Sequence, residues 1–257
     1  MRSLLLLYLA FLLPVTASAE DADLAGLFAK MSVTGTIIIS SNNGEKTYIH
    51  DKSRANQRYR AASTFKILNT LISLDEKVVS IEDTLKWDGV TRDVPEWNHD
   101  QTLESAFKAS CVWYYQQLAK KVGGAKYRSY ISSIGYGKLH EPFNETTFWL
   151  DGSLTISAIE QVEFLKKVYR CQLPFAPSSY DILGKIMLVE QNSEYLLRAK
   201  TGWAASVTPS IGWYVGYVES PNDVWFFAMN MNVMSNESLS LRQEIVRESL
   251  RLKKIIK

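Results

Sequence analysis

Ser63 and Lys66, in the run Arg60-Ala-Ala-Ser-Thr-Phe-Lys-Ile-Leu-Asn, set a hydroxyl and an amine three residues apart. On an α-helix positions i and i+3 share a face, so Ser63 Oγ and Lys66 Nζ can meet in one cleft. Ala61, Ala62, Phe65, Ile67, Leu68, Leu71 and Ile72 make the segment apolar nearly all round, the pattern of a buried helix. A lysine at the start of such a helix is costly unless it is paired, neutralised or chemically modified. That is a setting in which a serine becomes a nucleophile through a neighbouring base.

The spacing by itself is permissive, because Ser105-Ala-Phe-Lys108 satisfies it as well. Two triplets add weight. Lys200-Thr201-Gly202 is the only Lys-Thr/Ser-Gly in the chain, and Ser110-Cys111-Val112 is the only Ser-x-Val. Their order along the chain is that of the penicillin-recognising serine enzymes.

The elements that must position these residues can be read from pattern. Val33 to Ser40 is β-rich, Asn42-Asn43-Gly44 signals a turn, and Lys46 to His50 resumes as a partner strand. Helical patterns follow: the Ser63 helix, Leu103 to Val122, Tyr127 to Ile134, Ser157 to Tyr169 and Tyr180 to Val189. Ser157 with Glu160 forms a capping box, and Thr155 is an alternative cap. Strands return at Tyr195 to Trp203, Ile211 to Val218 and Val224 to Met231, and Ser240 to Ile256 closes the chain as an amphipathic helix. The expected fold is therefore α+β. One antiparallel sheet is built from both chain ends (residues 20–60 and 190–257), with a mainly helical region (61–189) inserted between them. The site should sit at the seam, and helices should cover both sheet faces, since Val224-Trp-Phe-Phe-Ala-Met is apolar at consecutive positions.

Residues 1–19 read differently: Arg2, an apolar core from Leu4 to Leu13, Pro14 and the small-residue run Ala17-Ser18-Ala19. This is the pattern of a cleaved secretory leader, so the mature protein is expected to be exported, with no membrane segment of its own. The 29 Lys and Arg against 27 Asp and Glu leave a net charge of +2, which argues against a nucleic-acid binder. His50, His99 and His140 are scattered and give no metal-ligand spacing. Cys111 and Cys171, the only cysteines, are expected as two buried thiols rather than a disulfide.

From about residue 30 to the C-terminus the chain resembles the class D β-lactamases, the oxacillinases. The resemblance rests on Ser-Thr-Phe-Lys at 63–66, Ser-x-Val at 110–112, Phe148-Trp149-Leu150 followed by Gly152, Lys-Thr-Gly at 200–202 and Leu241-Arg242, in that order. One departure is Tyr136-Gly137-Lys138, where the family usually has Tyr-Gly-Asn; no role is carried over to Lys138. Class A β-lactamases fit less well. Their Ser-Asp-Asn element is replaced by Ser110-Cys111-Val112, and Glu145 to Asp151 offers no counterpart of their acidic deacylation residue.

The resemblance implies a role for each matched residue. Ser63 is the nucleophile that becomes an acyl ester, and the backbone N–H groups of Ser63 and Trp203 form the oxyanion hole. Lys66 is the general base after carbon dioxide converts it to an N-carboxylated lysine, with Trp149 donating its indole N–H to that group. No other cofactor is implied. Val112 and Leu150 keep the pocket dry, and Ser110 relays a proton to the leaving nitrogen. Lys200, Thr201 and Gly202 line the cleft from a strand edge, and Thr201 and Arg242 anchor the substrate carboxylate. Trp203 and Trp213 are candidates for the cleft wall. The implied protein is a periplasmic hydrolase of β-lactams, monomer or homodimer, acting on penicillin- and oxacillin-type substrates. The short Trp203–Ser210 connection keeps carbapenems among the candidates. Its rivals are a β-lactam sensor that acylates without turnover and a D,D-peptidase of the cell wall.

Overall fold

The computed structural model describes residues 20–257, so the leader assigned to residues 1–19 lies outside the described residues. The chain opens with helix α1 (Ala22–Lys30), capped by Asp21, whose carboxylate accepts from the Leu24 N–H at 3.1 Å. Strands β1 (Gly35–Ser41) and β2 (Thr47–His50) form the expected hairpin, with Gly44 at φ +78° in the turn. A short helix α2 (Lys52–Asn56) and strand β3 (Tyr59–Arg60) lead to a 3-10 turn over Ala62–Phe65 that runs straight into α3 (Lys66–Asp75).

The helical region carries β4 (Thr84–Leu85) and β5 (Gln101–Thr102), a two-stranded pair, followed by α4 (Leu103–Lys108), α5 (Val112–Val122) and α6 (Gly124–Ile134). Then come β6 (Lys138–Leu139), the single turn α7 (Phe148–Asp151), β7 (Leu154–Ile156), α8 (Ala158–Tyr169) and α9 (Pro177–Ile186). The last elements are β8 (Leu188–Gln191), β9 (Leu196–Ala204), β10 (Ser210–Glu219), β11 (Val224–Val233) and α10 (Leu241–Leu252).

The main sheet has the order β2-β1-β11-β10-β9-β8, antiparallel throughout, so both chain ends meet at the β1–β11 pair. Side chains alternate across it. Ile37, Ile39, Met229 and Val218 join Leu24 and Phe28 of α1 and Ile245, Val246 and Leu250 of α10 in one core. Ile38, Ala228, Val215 and Trp213 face the other way into a larger core shared with α3, α5 and α8. Both faces are thus covered, and β1 is buried at every position.

The structure departs from the sequence reading in several places. The segment expected as one helix from Leu103 to Val122 is broken at Ala109–Cys111. Cys111 N donates to Ala106 O at 2.8 Å and Ser110 N to Phe107 O at 3.2 Å, a helix-ending pattern that puts Ser110 at φ +56°. Glycine normally takes that position, and its absence from the sequence hid the break. The helix expected over Tyr180–Val189 ends at Ile186, and Leu188–Gln191 pairs with β9 as a fourth late strand. An available sheet edge overrides the weak local pattern there. Cys171 is exposed rather than buried, because it occupies the same left-handed position (φ +51°) after α8; both cysteines are free thiols. The Ser157–Glu160 capping box is present at the start of α8.

Candidate active site

The nucleophile turn is held from three sides. Thr64 Oγ1 donates to Ala61 O at 2.6 Å, and Gln161 Nε2 on α8 donates to Thr64 Oγ1 at 2.7 Å. Phe65 packs within a ring of aromatics, with Phe148 at 5.0 Å, Tyr136 at 5.7 Å, and Tyr127 and Trp149 at 5.9 Å between centroids. Ala62, immediately before the serine, sits at φ +48°, a region costing a non-glycine residue about 1 kcal/mol or more.

Within that frame Lys66 Nζ donates to Ser63 Oγ at 2.9 Å. Lys66 is fully buried and its amine lies 5.2 Å from the Tyr115 ring centroid. Burial lowers its pKa from 10.5 to about 7, so a large share of the amine is neutral at physiological pH. Trp149 is also fully buried, and its Nε1 has no hydrogen-bond partner. A buried indole N–H without an acceptor is expensive, and it marks a place where an acceptor belongs. Val112 at the head of α5 and Leu150 on α7 are both half-buried.

The second group lies on β9. Lys200 Nζ donates to Ser110 Oγ and, at 3.0 Å, to Thr201 O. Burial, reinforced by the charges of Lys66 and Arg242, lowers the Lys200 amine well below its ordinary value. The left-handed turn at Ser110 is thus what presents its hydroxyl to Lys200, whereas a helix-interior serine would bond its own backbone. β8 pairs with β9 only along Leu196–Arg198, so the strand beyond Lys200 has an open edge.

Gly202 lies where β9 meets the nucleophile turn. A Cβ there would stand 3.0 Å from Thr64 Cγ2 and 3.1 Å from Trp213 Cβ. The glycine lets the nucleophile turn seat against β9. Trp203 is partly exposed, with Nε1 donating to Ser210 Oγ at 3.1 Å. Trp213 does not line the cleft: it is fully buried and donates to Arg60 O at 3.0 Å.

Arg242, at the head of α10, crosses to β9. Its Nη1 donates to Gly202 O at 2.7 Å and its Nε to Leu239 O at 2.6 Å, and burial lowers its pKa to about 10. It remains a cation near neutral pH, and both partners are neutral carbonyls. The other Ser-x-x-Lys match is structural. Ser105 completes a capping box with Thr102, and Lys108 pairs with Glu104. Lys138 is exposed in β6, opposite Thr155 of β7. Sequence reasoning missed Gln161, Tyr115 and the strained Ala62; none of these residue types carries a signal until its neighbours are known.

A serine–lysine turn seated against a Lys-Thr-Gly strand of an antiparallel sheet is the layout of the penicillin-recognising serine enzymes. Comparison with known proteins agrees and narrows it. The family model for the penicillin binding protein transpeptidase domain matches residues 32–251. The β-lactamase OXA-48 of Klebsiella pneumoniae is 42% identical over 230 residues, covering 89% of this chain and 87% of that protein. A class D β-lactamase structure from Nostoc superposes with TM-score 0.86 at 42% identity, over 89% of this chain and 97% of that one. The class D enzyme FUS-1 (OXA-85) from Fusobacterium nucleatum gives TM-score 0.90 at 31% identity, over 93% and 100%. The chain belongs to the class D β-lactamases, serine hydrolases that act on cyclic amides.

Proposed function

We propose that this chain hydrolyses β-lactams through an acyl ester on Ser63, with N-carboxylated Lys66 as the base for both half-reactions. The observation that carries the reading is the 2.9 Å bond between two buried side chains, Lys66 Nζ and Ser63 Oγ. Carbon dioxide, adding to the neutral amine, would supply the carboxylate base that the cleft otherwise lacks. The orphaned Nε1 of Trp149 fits such an acceptor, and the amine's lowered pKa keeps it free to react.

Ser63 Oγ gives up its proton toward Lys66 and bonds to the lactam carbonyl carbon. The backbone N–H groups of Ser63 and Trp203 would stabilise the oxyanion, each worth about 3 kcal/mol. The ring C–N bond breaks, and Ser110, in contact with Lys200, passes a proton to the leaving nitrogen. Thr201 and Arg242 hold the substrate carboxylate, and Val112 and Leu150 limit water. A water deprotonated on the Lys66 side then attacks the ester, the carbonyl–Oγ bond breaks, and Ser63 recovers its proton.

Penicillin- and oxacillin-type substrates are the proposed class, met in the periplasm after export. The test pairs two measurements. A chromogenic cephalosporin should be turned over, with rates at mildly acidic pH falling in carbon-dioxide-depleted buffer and recovering with bicarbonate. Carbon-13 bicarbonate should give a carbamate resonance, absent in Lys66→Ala. Full activity without bicarbonate and no such resonance would sink the base assignment. A stable adduct that forms but never turns over would favour a sensor, and an adduct mapped to Ser105 or Ser110 would overturn the nucleophile.

A further inference from the structure

Between the α2–β3 segment, the end of α7 and the β9–β10 connection lies a cavity of about 560 Å³. Ser63, Lys66 and Lys200 are not among its lining residues. Three arginines, Arg54, Arg58 and Arg60, line it against one carboxylate, Asp151.

The arginines differ in how their charge is balanced. Arg58 is paired with Glu160 through a forked contact, its Nε at 3.0 Å from both carboxylate oxygens. Arg54 is held by neutral acceptors: Nε donates to Asn230 Oδ1 at 2.8 Å and Nη2 to Asn232 Oδ1 at 2.9 Å. Its guanidinium also lies 4.8 Å from the Tyr59 ring centroid. Arg60 Nη1 donates to Ser206 Oγ at 2.9 Å and Leu150 O at 3.3 Å, again neutral groups. Among the described residues neither Arg54 nor Arg60 has a carboxylate within ion-pair distance. Asp151 feels the Arg60 charge at a distance but makes no ion pair with it; its oxygens accept from Thr147 Oγ1 at 2.7 Å and from Ser153 N at 2.8 Å.

With Asp51 and Asp151 acting only at a distance, these half-buried guanidinium groups, bonded directly to neutral acceptors alone, are left able to grip an anion in a partly dry space. The rest of the wall is largely apolar, from Tyr59, Val207, Pro209 and Ile211. The volume falls in the range of small-molecule sites. We infer that this cavity binds a compact organic dianion, a phosphomonoester with an apolar or ring substituent, gripped by Arg54 and Arg60. Guanidinium forks match phosphate oxygens, and the apolar wall takes the substituent.

The experiment is calorimetric titration of the full chain with phenyl phosphate at constant ionic strength, with phenol and inorganic phosphate as counterparts. Phenyl phosphate should bind one to one and more tightly than either. Arg60→Gln removes the charge together with the Nη1 donor to Leu150 O and Ser206, and should weaken binding about tenfold. Thr208→Glu adds a negative charge on the exposed rim without disturbing the buried frame, and should weaken it similarly. Arg242→Ala should leave binding in place. Absence of saturable binding to the wild-type chain would overturn the inference. So would affinity no better than that of inorganic phosphate, or binding lost in Arg242→Ala yet unchanged in Arg60→Gln and Thr208→Glu, which would put the anion in the catalytic cleft.

Discussion

Replacing Lys66 by methionine should stabilise the fold while abolishing activity. Methionine has a similar length and no charge. Burial lowers the amine from 10.5 to about 7, and at about 1.36 kcal/mol per pH unit that costs the folded state about 5 kcal/mol. The direction with pH follows from where each state binds the proton. Above pH 10.5 the amine is neutral in both states and carries no penalty. As the pH falls toward 7 the unfolded chain holds a proton that the folded chain refuses, so the penalty grows. Below the folded value both states hold it and the penalty is full.

Methionine gives up the 2.9 Å bond to Ser63, worth about 1 kcal/mol, and the 5.2 Å contact with the Tyr115 ring, worth about 1 kcal/mol more. The net gain near pH 7 is about 3 kcal/mol, or about 6–12 °C in melting temperature for a domain of this size. Thermal melts of both proteins from pH 6 to pH 10 in bicarbonate-free buffer give the result as a difference curve. The gap should be largest at the acid end and nearly closed at pH 10. A variant no more stable than wild type at pH 7, or a gap independent of pH, would show that the ammonium is comfortable in its pocket. The neutral amine would then lose its physical basis.

Arg242→Ala should lower kcat/KM about ten- to a hundredfold for several β-lactams, the loss of about 1.5–3 kcal/mol from a charge-assisted fork. Unchanged kinetics in a variant that still melts normally would reduce Arg242 to a tie for the Gly202 carbonyl. Trp149→Phe removes the orphaned N–H and keeps the aromatic packing. It should raise the bicarbonate concentration needed for half-maximal activity while leaving the melting temperature close to wild type; an unchanged requirement would count against Trp149 as the holding donor. Gly202→Ala puts a methyl 3.0 Å from Thr64 Cγ2 and should cost about 1–3 kcal/mol in stability together with activity. Wild-type stability and turnover would mean that the turn has slack against β9.

What the sequence disclosed tracks periodicity. The β1–β2 hairpin, β9 to β11, α8 with its cap and α10 are segments where apolar spacing and turn chemistry agree, and each stands close to where the pattern puts it. The errors fall where geometry contradicts residue type. Ser110 and Cys171 end helices in a conformation that usually advertises itself as glycine, so the break before Val112 and the exposure of Cys171 were invisible. β8 became a strand because β9 offered it an edge, and α1 lies over the sheet through only two buried residues, Leu24 and Phe28. Trp213 is aromatic and close to the cleft in sequence and shares the sheet face of Gly202, but it is buried beneath the nucleophile turn, its indole N–H tied to Arg60 O, so it packs under the site rather than lining it.

The electrostatic character of the site could not be read from spacing at all. Lys66, Lys200 and Arg242 lie far apart in the chain, yet the charges of the other two help depress Lys200. Each cation is at least partly dry, and each is held by a hydroxyl or a carbonyl rather than by a carboxylate. Such a cluster opposes folding, and the backbone strain at Ala62 and Ser110 adds to the cost. The clustered charge becomes useful when an anion enters. A substrate carboxylate beside Arg242 and a carboxylate built on Lys66 would each relieve the repulsion while doing chemistry, so the same groups that destabilise the empty cleft favour its loaded states.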